Sequence, residues 1–99
     1  MVTVIATLKV KAGSEAALEK AAREMIAHVK ANEPGTLTYI LYRSTGDPTE
    51  FVFYEVYADQ GALATHGGSE QMQKFFGLAG GLLDGRPEIK MYEQIDGKK

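Results

Sequence analysis

The segment Phe51–Ala58, FVFYEVYA, is apolar on both faces of the strand that its aromatic and β-branched residues favour, with one carboxylate, Glu55, interrupting it. Alternation puts Phe51, Phe53, Glu55 and Tyr57 on one face and Val52, Tyr54, Val56 and Ala58 on the other. Such a strand needs cover on both sides. A chain of 99 residues has helices enough for one face only, so a second copy of the chain is the expected cover for the other. The length predicts one domain, residues 1–99, burying a little over roughly 60% of its unfolded surface when folded alone.

The rest of the chain supplies partners for that strand. Val2, Val4, Ala6, Leu8 and Val10 share one face of a first strand, and Thr3, Ile5, Thr7 and Lys9 the other. After Ala12-Gly13, Ser14 is placed to cap a helix whose apolar positions Leu18, Ala21, Ala22, Met25, Ile26 and Val29 recur at helical spacing, with Glu19 and Arg23 one turn apart on the wet side. Glu33-Pro34-Gly35 ends it. Thr36–Ser44 reads as a strand joined through Gly46-Asp47-Pro48 to the Phe51 strand as a hairpin. Asp59 is placed to cap a second helix carrying Ala62, Leu63 and His66, with His66 near its start and a bend at Gly67-Gly68. Met72, Phe75, Phe76, Ala79, Leu82 and Leu83 continue the helical spacing, broken by Gly77, Gly80 and Gly81 into short pieces. Glu88–Ile95 is the last strand. The order strand, helix, strand, strand, helix, strand predicts an α+β, ferredoxin-like fold: a four-stranded antiparallel sheet with its helices on one face. Two such sheets packed face to face, helices outside, would hide the apolar outer faces as a homodimer.

Composition narrows the function. A net charge of −2, with only Lys98 and Lys99 adjacent among the basic residues, gives no stripe for a phosphate backbone and argues against nucleic acid. Cysteine is absent, which removes disulfides, thiolate nucleophiles and cysteine-based zinc sites. The two histidines, His28 and His66, are too far apart in sequence for a metal-ligand motif, and no metal is expected. The glycine-rich GLAGGLLDG lacks the Gly-Lys-Ser/Thr ending of a phosphate loop, and no serine sits in a nucleophile elbow. No apolar run reaches a membrane span and no basic leader precedes the first strand, so a cytoplasmic protein without membrane contact is expected.

One histidine beside an aromatic sheet is then the place to look for chemistry. His66 is able to act as a general base toward an acidic hydroxyl; the plainer alternative is a helix histidine that packs or caps without reacting. Glu55, mid-strand among aromatics, is expected to be desolvated and to orient His66 or a substrate hydroxyl, or else to serve as a structural carboxylate. Tyr57 and Tyr39 offer hydroxyl donors. Phe53, Met72, Phe75 and Phe76 would line any pocket between the sheet and the second helix. His28 reads as a helix-end residue one turn from Glu24.

The passage YEVYADQGALATHGGSE, preceded by EPGTLTY and followed by FF and then PEIKMYE, resembles the antibiotic biosynthesis monooxygenase family over nearly the whole chain. Its distinctive elements are Glu33-Pro34-Gly35, the Glu55-x-Tyr57 pair, and Ala62-Leu63 followed by His66 and Ser69. The resemblance implies a dimeric α+β barrel that oxidises a small quinol-like or polyphenolic aromatic with molecular oxygen, without metal, flavin or other cofactor. It supports His66, Tyr57 and Glu55 as catalytic residues and Tyr39, Phe53, Met72, Phe75 and Phe76 as substrate-binding ones. Haem is not expected, because the haem-degrading relatives need an Asn early in strand one and none stands there. Two other readings share the fold: isomerisation of a small carbonyl or phosphorylated signalling compound, and a non-catalytic dimer that binds a small ligand.

Overall fold

The computed structural model describes residues 1–99. The strands are β1 (Val2–Lys9), β2 (Thr36–Arg43), β3 (Glu50–Tyr57) and β4 (Glu88–Tyr92), and the helices α1 (Glu15–Asn32), α2 (Gln60–Gly67) and α3 (Glu70–Ala79). They form one antiparallel sheet in the order β2-β3-β1-β4, the expected ferredoxin-like arrangement with its second helix broken in two. The break falls at the predicted glycines. Gly68 ends α2, and the Ser69 hydroxyl accepts from the Met72 amide to start α3. Asp59 caps α2 in the same way, accepting from the Ala62 amide at 2.8 Å.

The alternation read from the sequence sets which residues face the helices. Val4, Ala6 and Leu8 of β1 and Phe51 and Phe53 of β3 are buried, and all but Val4 join one core cluster with Leu18, Ala22, Met25 and Val29 of α1 and Phe75 and Ala79 of α3. Each large apolar side chain so placed contributes about 1.5–3 kcal/mol relative to exposure. The opposite face carries the paired row Ile5, Tyr54 and Ile40, with Tyr42 and Tyr92 nearby. Ile40, Tyr42, Tyr54 and Tyr92 all remain exposed in the single chain.

Four local expectations are corrected. The Ser14 side chain makes no cap; instead Glu15 Oε1 accepts from the Gly13 amide at 2.6 Å, where Gly13 turns the chain at a φ of 93°. β4 ends at Tyr92 rather than Ile95, because Tyr92 pairs with Thr3 at the beginning of β1 and no partner strand extends past it. Leu82 and Leu83 lie beyond α3: the Leu82 carbonyl accepts from the Lys11 amide, and Leu83 bridges to Val10. Gly77, expected to break the helix, lies within α3.

Gly35 is required by a close approach. A methyl at its Cα would stand 2.7 Å from the Ala62 Cβ of α2, and the Gly35 carbonyl also accepts from the Ala58 amide at 2.9 Å, so the turn after α1 is pressed against the start of α2. Gly35→Ala should destabilise the fold by about 1–3 kcal/mol through overpacking. In Ala62→Gly, which alone costs about 1 kcal/mol of helix propensity, the same substitution should cost much less. Urea unfolding of the single and double variants reads that coupling, and purely additive effects would contradict the contact.

Candidate functional site

Four elements deliver polar side chains into the apolar layer between the sheet and α2–α3. β3 contributes Glu55 and, two residues on and therefore on the same face, Tyr57. Tyr39 of β2 lies opposite Glu55 in the β2–β3 register. His66 comes from the last turn of α2, near the end of that helix and not at its start as expected. Glu33 comes from the residue that follows α1.

His66 is 2% exposed, and its Nδ1 lies 2.8 Å from Glu33 Oε1. The Thr36 hydroxyl donates to the same carboxylate oxygen at 2.9 Å. On the other side of the carboxylate, His28 Nε2 approaches Oε2 to 3.3 Å, within ion-pair reach but without the direction of a hydrogen bond, since Oε2 has no hydrogen-bond partner. The second ring nitrogen of His66, Nε2, is likewise buried and has none. Aromatic rings surround the imidazole: Tyr39 meets it edge-on at 4.9 Å between centroids and Tyr57 at 5.4 Å, while Tyr39 also stacks on Phe53 at 4.9 Å.

A cavity of about 390 Å³ opens beside this group. Its lining includes the anticipated Tyr39, Phe53, Glu55, His66, Met72, Phe75 and Phe76, together with Val4 and Ala6 of β1 and Ile89 and Met91 of β4. Tyr57 is absent from that lining. It is wholly buried behind the cavity wall, and its hydroxyl donates to Glu55 Oε1 at 2.5 Å. Tyr57 therefore touches Glu55, which lines the cavity, and does not line it itself. Glu55, for its part, makes no hydrogen bond to His66, one of the partners considered for it; Glu33 is the carboxylate that meets the ring.

Glu33 is the site residue that reading the sequence missed, and a signal for it existed. A carboxylate directly after a helix faces the negative end of the helix dipole, an unfavourable place unless donors or cations converge on it. His28, Thr36 and His66 do so. His28 had been paired with Glu24; in the structure its ring turns to Glu33 and Asn32.

Burial pushes the Glu55 carboxyl up to about 7, against the opposing pull of the Tyr57 hydroxyl, whose hydrogen bond favours the ionised form. Burial likewise raises both phenols, with nearby carboxylates adding to the shift; for Tyr57 the hydrogen bond to Glu55 adds as well. Tyr39 and Tyr57 therefore stay protonated, as donors, across the whole physiological range. The cavity lining thus includes a buried histidine, a carboxyl close to neutrality in its titration and a protonated phenol, all in apolar surroundings.

The family model for antibiotic biosynthesis monooxygenases matches residues 1–78, which carry every polar residue of this site. The chain belongs to the antibiotic biosynthesis monooxygenase family. Among solved structures, a candidate antibiotic biosynthesis monooxygenase from Caulobacter crescentus is 36% identical, with a TM-score of 0.91, over 96% of this chain and 90% of that one. The Rv0793 protein of Mycobacterium tuberculosis is 28% identical with a TM-score of 0.89, over 99% and 98% of the two chains. At 23% identity and a TM-score of 0.89, a candidate family member from Nitrosomonas europaea shares the fold, over 97% of this chain and all of that one. None of the curated proteins matches the sequence. No helix of this family member is long and apolar enough to cross a membrane.

The Glu55 shift has a consequence for stability. Its pKa is higher folded than unfolded, so its contribution is fully present below about pH 4.5 and is lost as the pH rises toward 7, where the folded protein must hold a buried charge. Over that window wild type should lose about 3 kcal/mol more than Glu55→Gln, which carries no titrating group. Urea unfolding at pH 4.5 and pH 8, at fixed protein concentration, measures the difference. Parallel pH profiles for the two proteins would contradict a desolvated Glu55.

Proposed function

We propose that the protein is a homodimeric, cytoplasmic monooxygenase that oxidises a small quinol-like or polyphenolic aromatic with molecular oxygen, using no cofactor. The observation that carries this reading is His66: a buried imidazole with one unpartnered nitrogen, lining an apolar cavity, in a chain of the antibiotic biosynthesis monooxygenase family. A volume of about 390 Å³ is at the small end of ligand pockets and suits one or two aromatic rings. A bound phenol would supply the missing partner for Nε2, and leaving that nitrogen unsatisfied costs about 1–3 kcal/mol.

In this mechanism Nε2 of His66 removes a phenolic proton as the hydroxyl's electron pair is freed to the ring. The phenolate, far more reducing than the phenol, passes an electron to dioxygen, and the resulting radicals combine to form a carbon–oxygen bond. His66 returns its proton to the outer peroxide oxygen as the O–O bond breaks, and the oxygenated ring carbon gives up its hydrogen as the second proton of the water formed. One oxygen atom stays on the ring and the other leaves as water, with the quinol supplying all the electrons. Tyr39 and Glu55, in its protonated form, offer hydrogen bonds to the substrate's oxygens, and the aromatic walls keep water out.

The open sheet face supports dimerisation. Ile5, Ile40, Tyr42, Tyr54 and Tyr92 form an apolar and aromatic surface across all four strands. A second copy laid against it would hide both faces at once, in the self-complementary manner of a two-fold interface.

Oxygen uptake with a panel of hydroquinones tests the reaction. Wild type should consume oxygen and yield a hydroxylated quinone, and His66→Ala should be slower by about 100-fold or more. Equal rates in the two proteins would remove His66 from the chemistry, and turnover that persists without oxygen would replace the oxygenase with an isomerase.

A further inference from the structure

The Glu33-Pro34-Gly35 turn has no part in the reaction as described, yet it touches the reacting side chain. We propose that this turn sets the reactive form of His66, with Glu33 as a positioning residue: its carboxylate accepts the Nδ1 proton, locking the imidazole in the tautomer whose Nε2 is bare. This deepens the reading of His66 as the base and rests on it.

A neutral imidazole carries its proton on either nitrogen, and only the bare nitrogen can take a proton from a substrate. In an apolar pocket with no polar partner both forms would be present, and the one protonated at Nε2 would be inert toward a hydroxyl. A carboxylate has no proton to give, so the 2.8 Å contact between Glu33 Oε1 and His66 Nδ1 assigns the hydrogen to Nδ1. The contact is sealed from solvent: the Glu33 and His66 side chains are 5% and 3% exposed. Thr36 donates to the same oxygen, and the His28 ring stands at the other, so the carboxylate is surrounded by groups able to donate to it.

The other residue of the turn that matters is Gly35. Its missing side chain lets α2 come within a distance that a Cβ would block at Ala62, one turn before His66 on the same helix. Glycine thus brings the helix to the carboxylate, and the carboxylate orients the ring. A negative residue at the end of α1 is a poor choice for helix stability, which fits a residue kept for its effect on His66.

The test uses nitrogen NMR of the full protein with isotope-labelled histidine, where protonated and bare ring nitrogens have well-separated signals. His28→Gln assigns the two histidines. At neutral pH wild-type His66 should show a protonated Nδ1 and a bare Nε2. In Glu33→Gln the amide can present either its oxygen or its nitrogen to the ring, so both tautomers should appear. The same variant should lower kcat for quinol oxidation by about 10-fold or more, as loss of a ring-orienting partner does elsewhere, with KM within about 2-fold of wild type. A wild-type His66 protonated on Nε2 would overturn the proposal, as would a Glu33→Gln protein that keeps both the wild-type tautomer and the wild-type kcat. The wild-type spectrum decides the matter even where the variant fails to fold. It also does so where no quinol is oxidised, so failure of the oxygenase reading and failure of the Glu33 assignment are separable.

Discussion

A carboxylate buried against an imidazole ties this molecule together at the point where it matters for function. Glu33 follows α1 and His66 lies in the last turn of α2, so their contact joins two elements far apart in the chain. Isolated, either group would be expensive to bury; together, with Thr36 and His28 on the carboxylate, they are largely satisfied. What stays unsatisfied is Nε2 of His66, together with Oε2 of Glu33. The cost of leaving the nitrogen bare is what a substrate hydroxyl would relieve.

The remaining polar groups divide by environment. Glu55 sits on the sheet, desolvated enough to lie near neutrality in its titration, and is tethered by Tyr57 from behind. Glu33 lies among donors. Two carboxyls in one small domain thus sit in different surroundings, one bound to an imidazole and one desolvated at the cavity wall. The apolar walls from β1, β3, β4 and α3 strengthen each of these interactions by excluding water.

Much of this architecture was legible in the sequence. Alternation alone placed Phe51, Phe53, Glu55 and Tyr57 on one face of β3, which the fold turns toward the helices, and Gly67-Gly68 marked the division of α2 from α3. Local rules carry such features, because strand faces and helix breaks depend on neighbouring residues. The end of β4 was not legible, since it depends on where its partner β1 begins. The partner of His66 escaped for the same reason: Glu33 lies 33 residues away, and only the packing of α2 against the turn at Gly35 unites them. Of the readings open for Glu55, a hydrogen bond to His66 is the one the structure does not show; the hydroxyl of Tyr57 meets it instead.

The central claim is that the nitrogen left bare on His66 is the group that meets the substrate in the cavity. Titrating the protein with a simple phenol that resists oxidation, while following the ring-nitrogen signals of both histidines, tests it most directly. The account predicts a saturable shift of His66 Nε2 on binding, with His28 unmoved. A phenol that binds without disturbing His66 Nε2 would contradict it.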